Sequence, residues 1–530
     1  MRPIIAFIML VGLCAHVAAQ QPTTSSQPNQ PIELPEVIVT GREAMDVPGS
    51  SKHVPSKPAS IKGAILDSLN TFEKQPIPSL PPRPLPSLDR RSAMYPGYVD
   101  AQLGVYITPD IKAGYSFVAG GYRVDVDGAL EASNGWIANG EYVKYAARAL
   151  SSFVAPEKFI FFGGSTTEVD LRLGGNSYKQ YALAAAPSRS RTDVGVGVNT
   201  QGQHDGFLYD VGASWNMASL TTTRRSVSDA SVHARASVEN RWNSWDVGGK
   251  VDLNFRSFAE QAYPFMELQA FGRYATPDIR LTLGGGLQNA MSTSNVSRFG
   301  LLLRAQADYM INGDLTLQAI VRSGLRANSF TELFDTNPYV SDSVIMDAAY
   351  DVVGMSGQLF YHPTMRLNVS AGIHVRSTER QSLWVADSGA TFTAFYATVS
   401  TVSIPLDMHW LFTSADAVVA DLLITSATVS NAKAAPYIPT VRASVGYERS
   451  WTPDLRSLVS LYYVGDRWAD IANTINIGGY VDLRINASYQ LLPSLSITAR
   501  AQNLLGSAIT VWQGYQERGI FVSGGINWKF

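Results

Sequence analysis

The side chains best suited to catalysis or metal binding are scattered through this chain. His204 and His362 lie among turn-forming residues, and His233 and His374 have no nucleophile motif beside them. Nucleophilic catalysis needs a nucleophile, a base and an acid within reach of one another. Metal ligation needs His, Cys or carboxylate side chains at short, fixed spacings. We therefore expect no enzyme activity, no cofactor and no metal site.

Arginines on the polar side of alternating segments are the second candidate for chemistry. They are interleaved with acidic residues such as Asp246, Asp252 and Asp482. One interpretation is a path for an anionic solute, and the other is a mutually neutralising lattice that keeps the wall of a pore hydrated. Mixed signs favour the lattice over an ion-selective ring. The arginines that we expect to face the lumen of such a pore are Arg366, Arg376, Arg484 and Arg500.

A third candidate is a β-prone run near the N-terminus, Leu34–Arg42, which reads L-P-E-V-I-V-T-G-R. An extended segment of this kind can add a strand to a partner protein, because backbone hydrogen bonds then supply the affinity. The alternatives are an ordinary apolar patch in a linker and a strand that rests on the mouth of a barrel. The residues expected to pair with a partner are Glu36, Val37, Ile38, Val39 and Thr40.

Strict alternation of apolar and polar residues predicts the elements that hold these side chains. It extends through residues 95–530, as in Trp245–Phe255, Met365–Arg376, Val481–Leu491 and Ile520–Phe530. A strand of about ten residues with one apolar and one polar face can cross a bilayer and turn its polar face to water. We count about 22 such segments, which fits a single closed barrel. The predicted fold is therefore all-β, a large antiparallel transmembrane β-barrel.

Turns and aromatic residues punctuate the predicted strands. Proline presets the φ angle of a turn, and Asp or Asn bonds to its own backbone there. We expect turns at Thr108–Asp110, Thr276–Asp278, Asn312–Asp314, His362–Thr364, Thr452–Asp454 and Leu492–Ser494. Tryptophans near strand ends predict girdles at the membrane–water interfaces. They are Trp136, Trp242, Trp245, Trp468, Trp512 and Trp528.

The start of the chain has the pattern of a secretory signal peptide. Met1–Ala19 has a basic start, an apolar run and then small residues, so cleavage is expected before Gln20. The only cysteine, Cys14, lies inside this segment. A lipid-attachment site there is disfavoured because Leu13 precedes it where a small residue is needed. Without a cysteine in the mature chain, we expect no disulfide.

The next segment, residues 20–94, is rich in Gln, Ser, Thr and Pro. Such a composition cannot bury much apolar surface, so it predicts a mostly disordered periplasmic linker. Ile61–Phe72 has apolar residues at helical spacing, which predicts a short amphipathic helix. The expected organisation is therefore a signal peptide over 1–19, this linker, and a barrel over 95–530. A net charge of −2 gives no basic surface for nucleic acid.

Three stretches and the final residues resemble one family. Glu33–Gly41 resembles the Ton box of TonB-dependent outer-membrane receptors. Ala435–Pro439 is similar to a Pro-containing loop of those barrels, and Asn503–Gly506 with Trp528 and Phe530 is similar to their closing strands. The resemblance implies a place in the outer membrane among its lipids, uptake of a solute that the sequence does not identify, and a TonB-type partner. It also implies that Trp528 and Phe530 act as the closing signal read by the barrel insertion machinery.

The chain departs from this family between the Ton-box-like segment and the barrel. Only Glu43–Met94 lies there, and it is Pro-rich, whereas the family has a much larger globular plug. The predicted function is transport by a barrel without a recognisable plug. The alternative is a barrel scaffold that does not transport and that docks periplasmic or surface partner proteins. A barrel of this size needs its lumen filled by the tail, by a partner protein or by infolded loops, unless the barrel is flattened.

Overall fold

The structure is a computed structural model that describes residues 95–157, 163–387, 390–429 and 433–530. The predicted signal peptide, the linker over 20–94 and the Leu34–Arg42 segment lie outside the described residues. Among the residues that are described, no helix combines the length and the apolar character that a membrane-spanning helix requires.

The described chain is almost entirely β-strand, with one short helix. The helix is α1, Phe330–Thr336. The strands are β1 Gly97–Gly104, β2 Thr108–Ala119, β3 Tyr122–Ser133, β4 Tyr142–Val154, β5 Thr166–Lys179, β6 Ser188–His204, β7 Phe207–Thr222, β8 Ser226–Trp242, β9 Trp245–Phe258, β10 Gln261–Ala262, β11 Phe265–Ala275, β12 Ile279–Met291, β13 Ser297–Asn312, β14 Leu315–Ala327, β15 Ala348–Thr364, β16 Leu367–Ala386, β17 Phe392–Leu411, β18 Asp416–Val429, β19 Val441–Ser450, β20 Leu455–Val464, β21 Arg467–Trp468, β22 Asn476–Ile477, β23 Tyr480–Leu492, β24 Leu495–Gln502, β25 Thr510–Trp512, β26 Tyr515–Gln516 and β27 Phe521–Lys529.

One closed antiparallel sheet forms the wall of the molecule. Neighbours in the chain pair with each other, and β1 also pairs with β27, so the sheet has no free edge around its circumference. The sheet has 23 strands because the two-residue β10 and the following β11 both pair with β9. Counted as one crossing, they leave 22 strands, the number of a closed transmembrane barrel and the number predicted from the sequence.

The alternation of side chains separates a lipid-facing surface from the lumen. In β13, Phe299, Leu301 and Leu303 are 66%, 53% and 59% exposed, whereas Arg304 and Gln306, which follow them on the opposite face, are partly covered. Successive residues of a strand point to opposite faces. The exposed apolar face is therefore the surface that contacts lipid, and the polar face lines the lumen.

The two ends of the barrel differ in their connections. The turn end holds Tyr95, Phe530 and mostly short links, at 120–121, 155–165, 205–206, 243–244, 276–278, 313–314, 365–366, 412–415, 451–454 and 493–494. The loop end holds the longest links, including 328–347, 465–479 and 503–520. Strand lengths also differ around the barrel: β16 and β17 have 20 residues each, whereas β1 and β24 have only 8.

Most of the predicted turns lie at the turn end, but two predictions were wrong. Thr108–Asp110 begins β2, because the chain has already reversed through Tyr106 and Ile107, which have positive φ angles of 62° and 48°. His362–Thr364 ends β15, where a register shift accommodates the proline, and the reversal occurs at residues 365–366. The other four predicted turns are confirmed, with Thr276 Oγ1 accepting a hydrogen bond from the Ile279 N–H at 3.0 Å.

The tryptophans divide between the two ends. Trp242 and Trp528 are 71% and 46% exposed near the turn end, as expected of an interfacial girdle. Trp512 contradicts that prediction, since it is only 4% exposed and packs inside the loop end. Trp136 also belongs to the loop end, where its Nε1–H donates to the Gln516 carbonyl at 3.2 Å.

The last strand closes the barrel through β1. The Gly97 N–H donates to the Phe530 carbonyl and the Phe530 N–H donates to the Gly97 carbonyl, each at 2.9 Å. The Phe530 ring lies against Gly97, where an added Cβ would meet it at 2.6 Å, and it packs 6.2 Å from the Tyr115 ring. Trp528 stacks against Phe530 with ring centroids 4.7 Å apart.

Arginine at the lipid-facing position 303 tests the orientation of the wall. Leu303→Arg should lower the free energy of unfolding by about 2–4 kcal/mol if the position lies near the bilayer midplane. The matched control is Gln306→Arg, whose side chain faces the lumen beside Asp308. Urea unfolding in lipid vesicles measures both. Equal destabilisation by the two variants would contradict the assignment of faces.

Removal of the aromatic rings at the seam tests their part in barrel closure. Trp528→Ser with Phe530→Ser should reduce the yield of folded, heat-resistant barrel, because the contacts with Gly97 and Tyr115 are lost. Gel mobility with and without heating gives the folded fraction. Phe299→Ser, which removes an exposed ring far from the seam, serves as the control. A normal folded fraction in the double variant would refute this role.

Candidate functional site at the loop end of the barrel

The predicted lumen arginines do not converge on one site. Arg366 is exposed in the turn at residues 365–366, outside the strand predicted for it, and Arg376 lies within β16. Arg484 pairs with Asp482 at 2.6 Å. Arg500 lies 3.7 Å from Asp110. Trp528 and Phe530 are at the seam, and the Glu36–Thr40 run is outside the described residues.

Acids and bases on the described lumen wall pair with one another. Arg148 Nε lies 2.9 Å from Asp170, which also contacts Arg172. His233 Nε2 lies 2.8 Å from Asp252 on the neighbouring strand. The arginines and the histidine of these pairs contact adjacent carboxylates, as in a hydrated lattice of mixed sign.

A different site is formed at the loop end by residues 328–347, which we call the crossing loop. It begins with α1, whose N-cap is Ser329. The Ser329 hydroxyl accepts a hydrogen bond from the Glu332 N–H at 3.1 Å, and the Glu332 carboxylate accepts one from the Ser329 N–H at 2.7 Å. This reciprocal capping box satisfies two donors at the helix start. It allows a helix of about two turns to form inside a long loop.

One face of α1 buries its apolar side chains against strands on one side of the barrel. Phe330 and Phe334 are each 1% exposed. The Phe330 ring stacks on Phe258 of β9 at 4.5 Å, and the guanidinium of Arg191 in β6 lies 4.5 Å from the Phe334 ring. Arg191 also pairs with Asp335 at 2.6 Å.

Backbone carbonyls of the crossing loop accept hydrogen bonds from the same side of the wall. The Tyr178 hydroxyl of β5 donates to the Pro338 carbonyl. Arg189 of β6 donates from Nη2 to the Val340 carbonyl at 2.6 Å. These donors satisfy carbonyls that have no secondary-structure partner.

The crossing loop reaches the opposite side of the barrel as well. The Ser341 N–H donates to the Phe392 carbonyl at 2.7 Å, and the Phe392 N–H donates to the Tyr339 carbonyl at 2.9 Å. Val340 and Phe392 thereby form a parallel β-bridge at the start of β17. Because the loop contacts both β6 and β17, it lies across the mouth of the barrel.

A second loop, residues 503–520 with β25 and β26, packs beside the first. Its Tyr515 ring stacks on Tyr339 with centroids 3.4 Å apart, and its hydroxyl donates to the Ala390 carbonyl at 2.7 Å. Tyr181 donates to the Gln516 carbonyl at 2.8 Å. We call the crossing loop and residues 503–520 together the lid.

The lid shares a hydrophobic core with the strands and loops around it. Trp512 packs against Phe392 and Tyr437, with ring centroids 5.2 Å and 4.8 Å apart. These rings join Phe330 and Phe334 in one buried cluster that includes residues of both loops and of the surrounding strands. The sequence left open whether the tail, a partner protein or infolded loops fill the lumen. Among the described residues, infolded loops occupy this mouth.

Ion pairs hold the C-terminal end of the crossing loop. Asp347 is 5% exposed and accepts hydrogen bonds from Arg298 and Arg380, the first at 3.2 Å. The Tyr396 hydroxyl donates to the Ile345 carbonyl at 2.9 Å. A buried carboxylate with two guanidinium partners is costly to separate, since it would lose bonds while still partly desolvated.

Sequence reasoning missed the lid because neither loop has a two-residue or helical period. Two signals were present. Ser329 and Glu332 have capping-box spacing immediately before an apolar run. Residues 509–515 concentrate Ile509, Val511, Trp512 and Tyr515, which is more apolar area than an exposed loop tolerates. Among the described residues, no group of three or more His, Cys, Asp or Glu side chains is arranged to hold a metal ion.

Shortening a buried ring of α1 tests whether the lid is a packed unit. Phe334→Ala should destabilise the closed lid by about 3–5 kcal/mol, since it removes a fully buried ring. Amide hydrogen exchange in residues 330–346 should accelerate while the strands keep their protection. Ile345→Ala, at a position 51% exposed in the same loop, should change little. Unaltered exchange in Phe334→Ala would show that the lid is not held by this packing.

No protein-family sequence model matches the chain. No curated protein matches it in sequence.

Solved structures do match its fold. The FrpB iron transporter from Neisseria meningitidis, F3-3 variant, aligns with a TM-score of 0.67 at 9% identity over 84% of this chain and 82% of that chain. The copper transporter OprC aligns with a TM-score of 0.64 at 15% identity over 83% and 81% of the two chains. The ferric yersiniabactin uptake receptor FyuA from Yersinia pestis gives 0.64 at 12% identity over 83% and 81%.

At these identities the likeness establishes the fold alone. It confirms the fold that the sequence resemblance implied, so the described chain is a 22-strand barrel of the kind found in TonB-dependent outer-membrane receptors.

Proposed function

We propose that this protein is an outer-membrane transporter of the TonB-dependent-receptor type, with a passage that its own loops close at the loop end. The observation that carries the proposal is a transmembrane barrel of 22 strands whose mouth is crossed by a packed lid. The signal peptide predicted over Met1–Ala19 and the lipid-facing wall support a place in the outer membrane. Assembly there uses the barrel insertion machinery, with Trp528 and Phe530 at the closing seam.

The solved structures support transport as the class of function. Two of them are named as transporters, of iron and of copper, and a third as an uptake receptor for ferric yersiniabactin. Barrels of 22 strands enclose a lumen wide enough to need a plug. In this chain the lid supplies a closure at one mouth. Such a closure fits a gated passage better than a passive pore, because an open lumen of this width would leak small solutes.

The tail is the segment through which energy would reach the barrel. Residues 36–40 would add as a strand to a TonB-type periplasmic partner, and that needs free backbone N–H groups. Bacterial outer-membrane barrels have short periplasmic turns and longer outer loops. We therefore infer that the turn end faces the periplasm and that the lid faces the outside of the cell.

A proline in the Ton-box-like segment tests the coupling. Ile38→Pro removes one backbone donor and fixes its φ angle, so it should abolish binding to a TonB-type periplasmic domain and leave the barrel folded. Ile38→Val keeps the backbone donor and leaves the φ angle free, so it should bind as the wild type does. Pull-down of the detergent-solubilised protein measures binding, and heat-modified mobility reports the fold. Wild-type protein that shows no binding, or binding that survives the proline, would refute coupling at this segment.

The second candidate is a barrel scaffold that docks partner proteins and conducts nothing. The extent of the lid core favours it, because Phe330, Phe334, Val340 and Phe392 are each no more than 1% exposed and the closure is tightly packed. A scaffold requires no opening of the lid. Absence of solute uptake in cells, together with a normal fold and normal surface exposure, would favour the scaffold.

A further inference from the structure

Two buried arginines hold the lid by bonds to neutral acceptors. Arg189 Nη2 donates to the Val340 carbonyl at 2.6 Å. Arg467, in β21, donates from Nη2 to the Thr510 carbonyl of the other lid loop. The two side chains belong to residues only 1% and 5% exposed. A guanidinium that is taken out of water usually gains a carboxylate partner, since burial of an unpaired charge is expensive.

Neither arginine has such a partner among the described residues. Nε and Nη1 of Arg189, and Nη1 of Arg467, are buried and have no hydrogen-bond acceptor. Arg191, two residues from Arg189 on the same strand, shows the contrast. It pairs with Asp335 at 2.6 Å and with Asp193 at 2.5 Å. The absence of an anion thus distinguishes Arg189 and Arg467 from Arg191, and also from Arg225, which binds both the carbonyl and the carboxylate of Asp342.

An unpartnered amide lies beside the Arg189 contact. Asn337 is fully buried, and its Nδ2 has no acceptor. The Val340 N–H donates to the Asn337 carbonyl at 3.0 Å, so the amide and the Arg189 acceptor belong to one four-residue turn. The Asn337 side-chain oxygen is occupied by the Tyr339 N–H at 2.9 Å. Unpaired N–H groups are therefore present on both sides of the contact between wall and loop, on Arg189 of β6 and on Asn337 in the turn that holds the Val340 carbonyl.

We propose that Arg189 and Asn337 are an anion site that releases the lid: a carboxylate or phosphate group replaces the Val340 carbonyl as the acceptor of Arg189. A bond from a guanidinium to an anion is roughly twice as strong as one to a neutral acceptor, and it can be bidentate. An anion that binds only when the loop has lifted shifts the population toward the open state. This deepens the proposed transport function, on which it rests, by naming the chemical group of a solute that opens the passage.

A cysteine buried under the lid measures opening directly. Val344 is 2% exposed within the crossing loop, and the chain has no cysteine after Cys14. In Val344→Cys protein in phosphatidylcholine nanodiscs, the rate of maleimide labelling reports how often the loop lifts. The nanodisc lipid carries no net negative charge, so the anion added is the one tested. Phosphate at about ten times its dissociation constant should raise the rate about tenfold over chloride at equal ionic strength.

Three variants of the reporter protein separate the anion site from general weakening of the lid. Arg189→Gln should label faster without phosphate and lose the phosphate response. Asn337→Asp keeps the oxygen that accepts from Tyr339 and supplies an internal carboxylate, so it should also lose the response. Arg191→Gln is the matched control, because that arginine already holds carboxylates. It should label faster and keep the response.

The same rate in phosphate and chloride would overturn the proposal, and so would a phosphate response that persists in Asn337→Asp. If Arg189→Gln fails to fold, as judged by heat-modified mobility, Asn337→Asp alone decides. The assay involves neither a TonB-type partner nor uptake. A failure of the transport proposal would leave this result standing, and a failure here would leave transport untouched.

Discussion

The closure of this barrel depends on side-chain donors of the wall that bind backbone carbonyls of the lid. Loop carbonyls in an enclosed space must find donors, because an unpaired one costs about as much as a lost hydrogen bond. Tyr178, Arg189, Arg225 and Arg467 supply them from four places around the mouth. In the reverse sense, the Tyr515 hydroxyl of the lid donates to the Ala390 carbonyl of a neighbouring loop. Every residue type has a backbone carbonyl. This attachment therefore determines the path of the loops more than it restricts their amino-acid sequence.

The closed sheet is what makes such an attachment possible. Pairing of β1 with β27 removes every circumferential edge, so the loop end becomes a complete ring of strand ends. The long strands β16 and β17 rise past their neighbours on one side. The start of β17 is paired with β16 but not with β18, and it accepts the parallel bridge from Val340. The crossing loop is bound to donors on β5 and β6 at one side and to β17 at the other, so it lies across the mouth. There its aromatic side chains contact those of residues 503–520.

The wall could be predicted from the sequence because membrane strands obey a simple rule. Alternation located Trp245–Phe255, Val481–Leu491 and Ile520–Phe530 close to the observed strands. Turn chemistry was less reliable. Pro109 and Pro363 each lie close to the reversal of the chain but outside it, because strand pairing decided which residues turn. The lid could not be predicted, since its order comes from tertiary contacts between segments far apart in the chain, such as Arg189 with Val340 and Tyr339 with Tyr515. The pairing of Arg484 with Asp482 could be inferred from their spacing of two residues on one strand face. The burial of Arg189 could not be inferred from the sequence.

We propose that the lid closes the barrel without residues 20–94. Single-channel conductance in planar bilayers tests it most directly, with two proteins that both lack residues 20–94. One keeps the crossing loop, and in the other a short Gly-Ser link replaces residues 329–346. We expect the first to stay closed apart from brief openings and the second to show a large, steady conductance. A steady conductance of equal size in both proteins would contradict the account, because the lumen would then be open with the lid in place.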